Sequence, residues 1–364
     1  MISNTEIPST TVPRVHFLQA AEGAIARRLA SARALCFSMS LAVTVIATPL
    51  VSAGAAWEIE DMRNLGTPTA VGHRGVGVNL GEDLDRPIEN TRDSVKQAYE
   101  DGISMVEIDV QITSDGKVVA FHDDFLSDFS CINAMTYKEL RQRLGDVSLL
   151  KNILNTARSY RHRKQGPSGL VIVELKAPSP LCDPDDSTEF DYVSAVIEVI
   201  RERDMENQVI LQSFSPTLLQ LALGIAPEIE RQLAASIVQF LTPEQVEVAT
   251  GLPVAIISKN DFGLEWAEIG PLFRLPGYED LAQFIGISLE VGSRGVALDA
   301  LILFQAEQSL PGGASLIVDT LHLLGLPVMT YTLNTAGEWF AATSWGVDGI
   351  ITDDIPLGLM LQGY

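Results

Sequence analysis

Met105-Val-Glu-Ile-Asp-Val-Gln-Ile112 reads as a β-strand with two unlike faces. Side chains alternate along a strand, so Val106, Ile108, Val110 and Ile112 share one face, and Met105, Glu107, Asp109 and Gln111 share the other. The first face is wholly β-branched and suits packing against helices. The second sets two carboxylates two residues apart. Burying both without a compensating charge is strongly unfavourable, and a bound divalent cation provides that compensation. Leu170-Val-Ile-Val-Glu-Leu-Lys176 repeats the pattern, with Val171, Val173 and Leu175 on one face and Ile172, Glu174 and Lys176 on the other. An apolar outer face and an inner face that turns charged toward the C-terminal end fit strands of a parallel barrel, where active sites sit at that end. Glu107, Asp109 and Glu174 together form a hard, all-oxygen donor set suited to Ca²⁺ or Mg²⁺.

Outward from these strands, short apolar runs alternate with helix-length amphipathic stretches. The runs are Ala70–His73, Met105–Thr113, Val118–His122, Leu170–Ala177, Gln208–Phe214, Gln232–Val238, Ile285–Val291, Pro327–Asn334 and Gly346–Thr352. Helices are predicted at Thr91–Asp101, Thr136–Leu144, Asp191–Arg203 and Ser315–Leu324. This alternation predicts an α/β fold with a helix-covered parallel sheet. About eight units in one domain predict a (β/α)₈ TIM barrel over residues 54–364. The surplus length predicts an insertion in the C-terminal half, at 239–283. An open doubly wound sheet is the alternative, but no glycine-rich phosphate loop or dinucleotide fingerprint supports it.

Lys and Arg number 25 against 47 Asp and Glu, a net charge of −22 over 364 residues. So acidic a chain lacks the cations that replace phosphate counterions, which argues against nucleic acid as a partner. The same charge means that any anionic substrate must meet a local cation cluster or a metal. The leader carries Arg14, Arg27, Arg28 and Arg33, then the apolar stretch Ala34–Val51, then the small residues Ser52–Ala56. That order predicts a secretory signal over residues 1–53, with export to the periplasm or exterior. An N-terminal membrane anchor is the alternative, because about 18 apolar residues just span a bilayer. Cys36 would leave with the leader. Cys131 and Cys182 would remain as an even pair in an oxidising compartment and are a disulfide candidate.

Two of the five histidines end apolar runs. His73 precedes Arg74-Gly75, and His122 precedes Asp123-Asp124. Beside a carboxylate cluster they suit an acid/base pair, since phosphodiester cleavage needs one group to take a proton and another to protonate the leaving alkoxide. Arg74 can bind a phosphate oxygen through charge-assisted hydrogen bonds. His162 and His322 read as surface or helix residues with no catalytic role.

In this order, Gly72-His-Arg-Gly75, Glu89-Asn-Thr91, Glu107-Ile-Asp-Val-Gln111, Thr113-x-Asp-Gly116, Phe121-His-Asp123, Val173-Glu-Leu-Lys176, Gln212-Ser-Phe214, Thr330-Tyr-Thr-Leu-Asn334 and Gly346-Val-Asp-Gly349 with Thr352-Asp353 resemble the glycerophosphodiester phosphodiesterase family. The resemblance spans about residues 70–356. It implies a (β/α)₈ barrel that hydrolyses a small-molecule glycerophosphodiester to sn-glycerol 3-phosphate and an alcohol. It implies metal ligation by Glu107, Asp109 and Glu174, with Glu89 at or beside that site. It also implies acid/base roles for His73 and His122, and phosphate contacts from Arg74 and Lys176. The chain departs from the family in the long acidic connection Gly75–Glu89, in Tyr331 where Trp is frequent, and in the 239–283 segment. These departures leave two other readings open. One is a phospholipase-D-like activity on lysophospholipid or sphingolipid, with membrane contact through Phe262–Trp266 and Leu272–Leu275. The other is a catalytically inactive surface binding protein.

Overall fold

The computed structural model describes residues 67–362 except 80–85, 161–168, 242–244, 246–253, 260–264 and 270–272. The leader with its signal-or-anchor expectation and His162 lie outside the described residues. So do the side chains of 262–266 and 272–275, expected as loops, of which 265–266 and 273–275 lie in strands.

Eight parallel strands close on themselves: β1 (Thr69–Gly72), β2 (Met105–Ile112), β4 (Leu170–Leu175), β5 (Val209–Ser213), β6 (Glu230–Ala235), β10 (Gly295–Asp299), β11 (Val328–Tyr331) and β12 (Gly349–Thr352). Their order is β1-β12-β11-β10-β6-β5-β4-β2, and β1 pairs with β2 to complete the circle. This is the (β/α)₈ barrel. The alternating faces of β2 and β4 do what their sequences require. Val106, Ile108, Val110, Val171, Val173 and Leu175 join the large cluster that includes the helices. Met105, Leu170 and Ile172 pack with Val71, Ile210, Ala234, Ala297, Met329 and Ile351 in a smaller cluster inside the barrel.

The helices start where local chemistry predicts. Thr91 caps α1 (Arg92–Asp101) through the Ser94 amide, and Thr136 with Glu139 forms a capping box on α2 (Tyr137–Leu144). The helices α3 (Leu150–Ser159), α4 (Glu189–Glu202) and α5 (Pro216–Ile225) follow in the N-terminal half of the wall.

Two sequence expectations need correction. The run Ile285–Val291 is not a strand but lies mainly within α6 (Leu281–Glu290), capped by Asp280. Its buried residues Phe284, Ile287, Ser288 and Val291 keep a helical spacing that a short apolar run conceals. The barrel strand in that unit is β10, only five residues long. The run Val118–His122 yields β3 (Val118–Ala120), which pairs antiparallel with the far end of β2 and stands outside the eight. The segment 239–283 carries a separate antiparallel sheet of β7 (Val254–Lys259), β8 (Glu265–Ile269) and β9 (Phe273–Pro276). After β10 come α7 (Ala300–Ser309), α8 (Gly313–Leu323), α9 (Ala336–Trp345) and α10 (Ile355–Leu361). Among the described residues, no helix is long and apolar enough to cross a membrane.

Candidate active site at the C-terminal mouth of the barrel

The inward faces of β2 and β4 bring Glu107, Asp109 and Glu174 together, with one carboxylate oxygen from each within 4.8 Å of the others. All three are buried, Glu107 at 2% exposure. Strand register explains the meeting, since Asp109 stands directly across from Glu174. Each carboxylate has fixed partners. Glu107 Oε2 accepts the Arg74 amide at 3.1 Å. Asp109 Oδ2 accepts from Asn90 Nδ2 at 2.9 Å, and its backbone amide donates back to Asn90 Oδ1. Glu174 Oε2 accepts from Gln212 Nε2 at 2.7 Å, and Gln212 in turn accepts from Gln232. Glu107 Oε1 is buried without a hydrogen-bond partner.

Two cations lie against this row. Lys176 Nζ contacts Glu174 Oε1 at 2.7 Å and Asp109 Oδ1 at 3.5 Å. Arg74 Nε stands 3.2 Å from Asp109 Oδ2, while its Nη1 donates to Glu89 Oε1 at 2.6 Å. The electrostatics divide the carboxylates. Burial, then the charges of Asp109 and Glu174, push Glu107 well above the usual carboxylate range. Burial would raise Asp109 too, but Lys176, His122 and Arg74 outweigh it and hold that group low. Glu174 and Asp109 likewise hold Lys176 protonated against its burial.

The two histidines sit on either side of the row. His73 follows β1, and its Nε2 is 4.0 Å from Glu107 Oε2. Its Nδ1 lies 2.7 Å from Asp353 Oδ1, just beyond β12. Asp353 also accepts from the Val78 amide and from Asn334 Nδ2. Burial alone would raise Asp353, but the hydrogen bond and charge of His73 lower it to about 2. His122 follows β3, whose antiparallel course turns the chain back over the mouth, and the Phe121 amide donates to Asp109 O. His122 Nδ1 is 2.7 Å from Asp123 Oδ1, and its Nε2 is 3.1 Å from Lys176 Nζ. The tight turn after His73 depends on Gly75, at φ +97°, where any Cβ would overlap Ser94.

The structure places Glu89 on Arg74 and the Asn79 amide, outside the three-carboxylate group. It pairs Cys131 with Cys182, Cα–Cα 5.5 Å, which ties the loop after His122 to the loop after Lys176. His322 bonds Asp348 at the opposite end of the barrel. Residue-type reasoning missed the residues that hold the histidines, Asp353 and Asp123, and the amides Asn90, Gln212 and Gln232. Asp123 was detectable as the neighbour of His122. Asp353 was visible in the Thr352-Asp353 pair of the resemblance, just past the end of the last strand, but with no role attached to it.

A family model described as the glycerophosphoryl diester phosphodiesterase family matches residues 73–357. The chain is 27% identical over 164 residues to the uncharacterized protein YqiK of Bacillus subtilis, covering 41% of this chain and 61% of that protein. It is 24% identical over 303 residues to glycerophosphodiester phosphodiesterase GDPD2 of Arabidopsis thaliana, covering 78% and 75%. In fold it resembles an Oleispira antarctica phosphodiesterase solved with the product sn-glycerol-3-phosphate, at TM-score 0.54 and 20% identity, over 82% of this chain and 99% of that one. With a family match over most of its length and a barrel of the same kind, the chain belongs to the glycerophosphoryl diester phosphodiesterase family and is an enzyme of that class.

Proposed function

We propose that the enzyme hydrolyses small glycerophosphodiesters to sn-glycerol 3-phosphate and an alcohol. The observation that carries the reading is the row Glu107–Asp109–Glu174 flanked by His73 and His122, with Arg74 and Lys176 against it. The product named for the Oleispira antarctica phosphodiesterase supports the same substrate class. Three buried carboxylates with one unpartnered oxygen, all hard donors, fit a divalent cation, Ca²⁺ or Mg²⁺. Glu107, Asp109 and Glu174 would hold it, and when bound it stabilises charge on the phosphoryl group.

The chain's own groups do the rest. Arg74 and Lys176 attract the phosphodiester anion and remain protonated throughout the neutral range. Asp353 and Asp123 each hold a histidine Nδ1, which assigns proton transfer to Nε2; the Nε2 of His122 meets Lys176 Nζ at 3.1 Å. One histidine takes the proton of the attacking hydroxyl, and the other gives a proton to the departing alkoxide. The Cys131–Cys182 pairing supports export, since such bonds persist in oxidising compartments. The direct test is release of sn-glycerol 3-phosphate from glycerophosphocholine by the purified enzyme in EDTA, then with Ca²⁺ or Mg²⁺ restored. The expected result is release only with the cation. Folded protein that releases nothing with any cation would falsify the reading.

A further inference from the structure

Across the barrel from the carboxylate row stands a second acidic group that the reaction does not use. In the strand order β10 lies opposite β2. Asp299 ends β10 on the same face as Ala297, which is inside the barrel, and pairs in register with Tyr331 of β11. The Tyr331 ring meets Phe214 edge-on at 6.0 Å, and Lys176 Nζ lies 5.8 Å from the Phe214 ring centre. Two aromatic rings thus bridge the interior from the phosphate-side cation to Asp299.

The hydrogen bonds of Asp299 are those of a helix cap. Its Oδ1 accepts from the Leu301 amide, and its Oδ2 accepts from Ser236 Oγ and the Ile237 amide. Asn or Ser would cap α7 equally well, so capping does not require the charge. Among the described residues, no Lys, Arg or His forms an ion pair with Asp299, although burial pushes its carboxyl upward. The mouth is therefore polarised. Arg74 and Lys176 stand on one wall, a carboxylate without a cation stands on the other, and aromatic rings lie between. Aromatic faces attract ammonium groups.

We propose that Asp299, with Phe214 and Tyr331, receives a positively charged alcohol half of the substrate and selects zwitterionic, ammonium-bearing glycerophosphodiesters over those of neutral alcohols. This inference rests on the glycerophosphodiester reading above. The test compares kcat/KM of the cation-loaded enzyme on glycerophosphocholine and glycerophosphoethanolamine with that on glycerophosphoglycerol. The wild type is expected to favour the ammonium substrates at least tenfold. Asp299→Asn and Asp299→Ser both keep a capping side chain, and both are expected to lower that ratio about tenfold, with thermal melts confirming the fold. A wild-type ratio near one overturns the proposal. So does a ratio unchanged in both variants, or an equal loss on all three substrates, which would assign Asp299 to the shared glycerol 3-phosphate half. A wild type that hydrolyses none of the three substrates refutes the underlying reading, and the inference falls with it.

Discussion

At the residue scale, the site consists of pairs in which one member does chemistry and the other holds it. His122 is 35% exposed and fixed between Asp123 and Lys176. His122→Ala should lower kcat by about a hundredfold or more while leaving the circular-dichroism spectrum unchanged, as general acid–base catalysis typically contributes that much. A spectrum-neutral variant with near-normal kcat would remove His122 from the mechanism. Asp353 lies beside His73, and Asp353→Asn keeps the shape but loses the charge that fixes the ring's tautomer. A drop in kcat of roughly tenfold or more, with little change in KM, is the expected result. Burial and its carboxylate neighbours push Glu107 upward. Metal-ligating carboxylates bind in their deprotonated form, so cation affinity should rise with pH. Calorimetric titrations at several pH values should show that rise, and Glu107→Gln should flatten it.

At the element scale, β3 matters more than its three residues suggest. It runs antiparallel on the overhanging end of β2 and delivers His122 to the mouth. Its return loop is held by the Ser179 amide on Asp124, by Asn133 on Cys182 O, and by the Cys131–Cys182 bond. That bond closes a loop of 51 residues. By the chain-entropy relation, its loss by Cys131→Ser with Cys182→Ser should destabilise the fold by about 4 kcal/mol. A denaturant midpoint indistinguishable from wild type would contradict this expectation. Two elements were hard to read for physical reasons. The helix α6 was hidden because Ile285, Ile287, Leu289 and Val291 alternate with a period of two, which reads as a strand. The strand β10 was missed because Gly295-Val-Ala-Leu-Asp299 is too short to show a period.

At the scale of the whole molecule, a net charge of −22 and a buried acidic row oppose compaction unless cations offset them. Binding to the folded state alone should stabilise it by about 2.7 kcal/mol at a cation concentration a hundred times Kd. The apparent Tm should therefore rise by several degrees with Ca²⁺ or Mg²⁺ and fall back with EDTA. In acid, the depressed Asp353 contributes stability that is complete above its ordinary value of 3.8 and lost as pH falls toward about 2. That contribution is roughly 2 kcal/mol. Asp353→Asn should flatten the acid limb of a stability–pH curve over that window. An unaltered slope would show that other carboxylates carry it.

The sequence by itself determined the barrel, the inward row Glu107–Asp109–Glu174 and the candidate histidines, because a period of two is a local property and two carboxylates on one inward face need a cation wherever they are placed. It also pointed to Cys131 and Cys182 as the pair to join. Only the tertiary structure decided which groups hold the reacting ones. Asp353 meets His73 across 280 residues because β12 and β1 are neighbours in the closed barrel. Glu89 reaches Arg74 rather than the three-carboxylate group. Asp299 faces Tyr331 because two strands align in register. Such meetings follow from closure of the sheet, which no local pattern encodes.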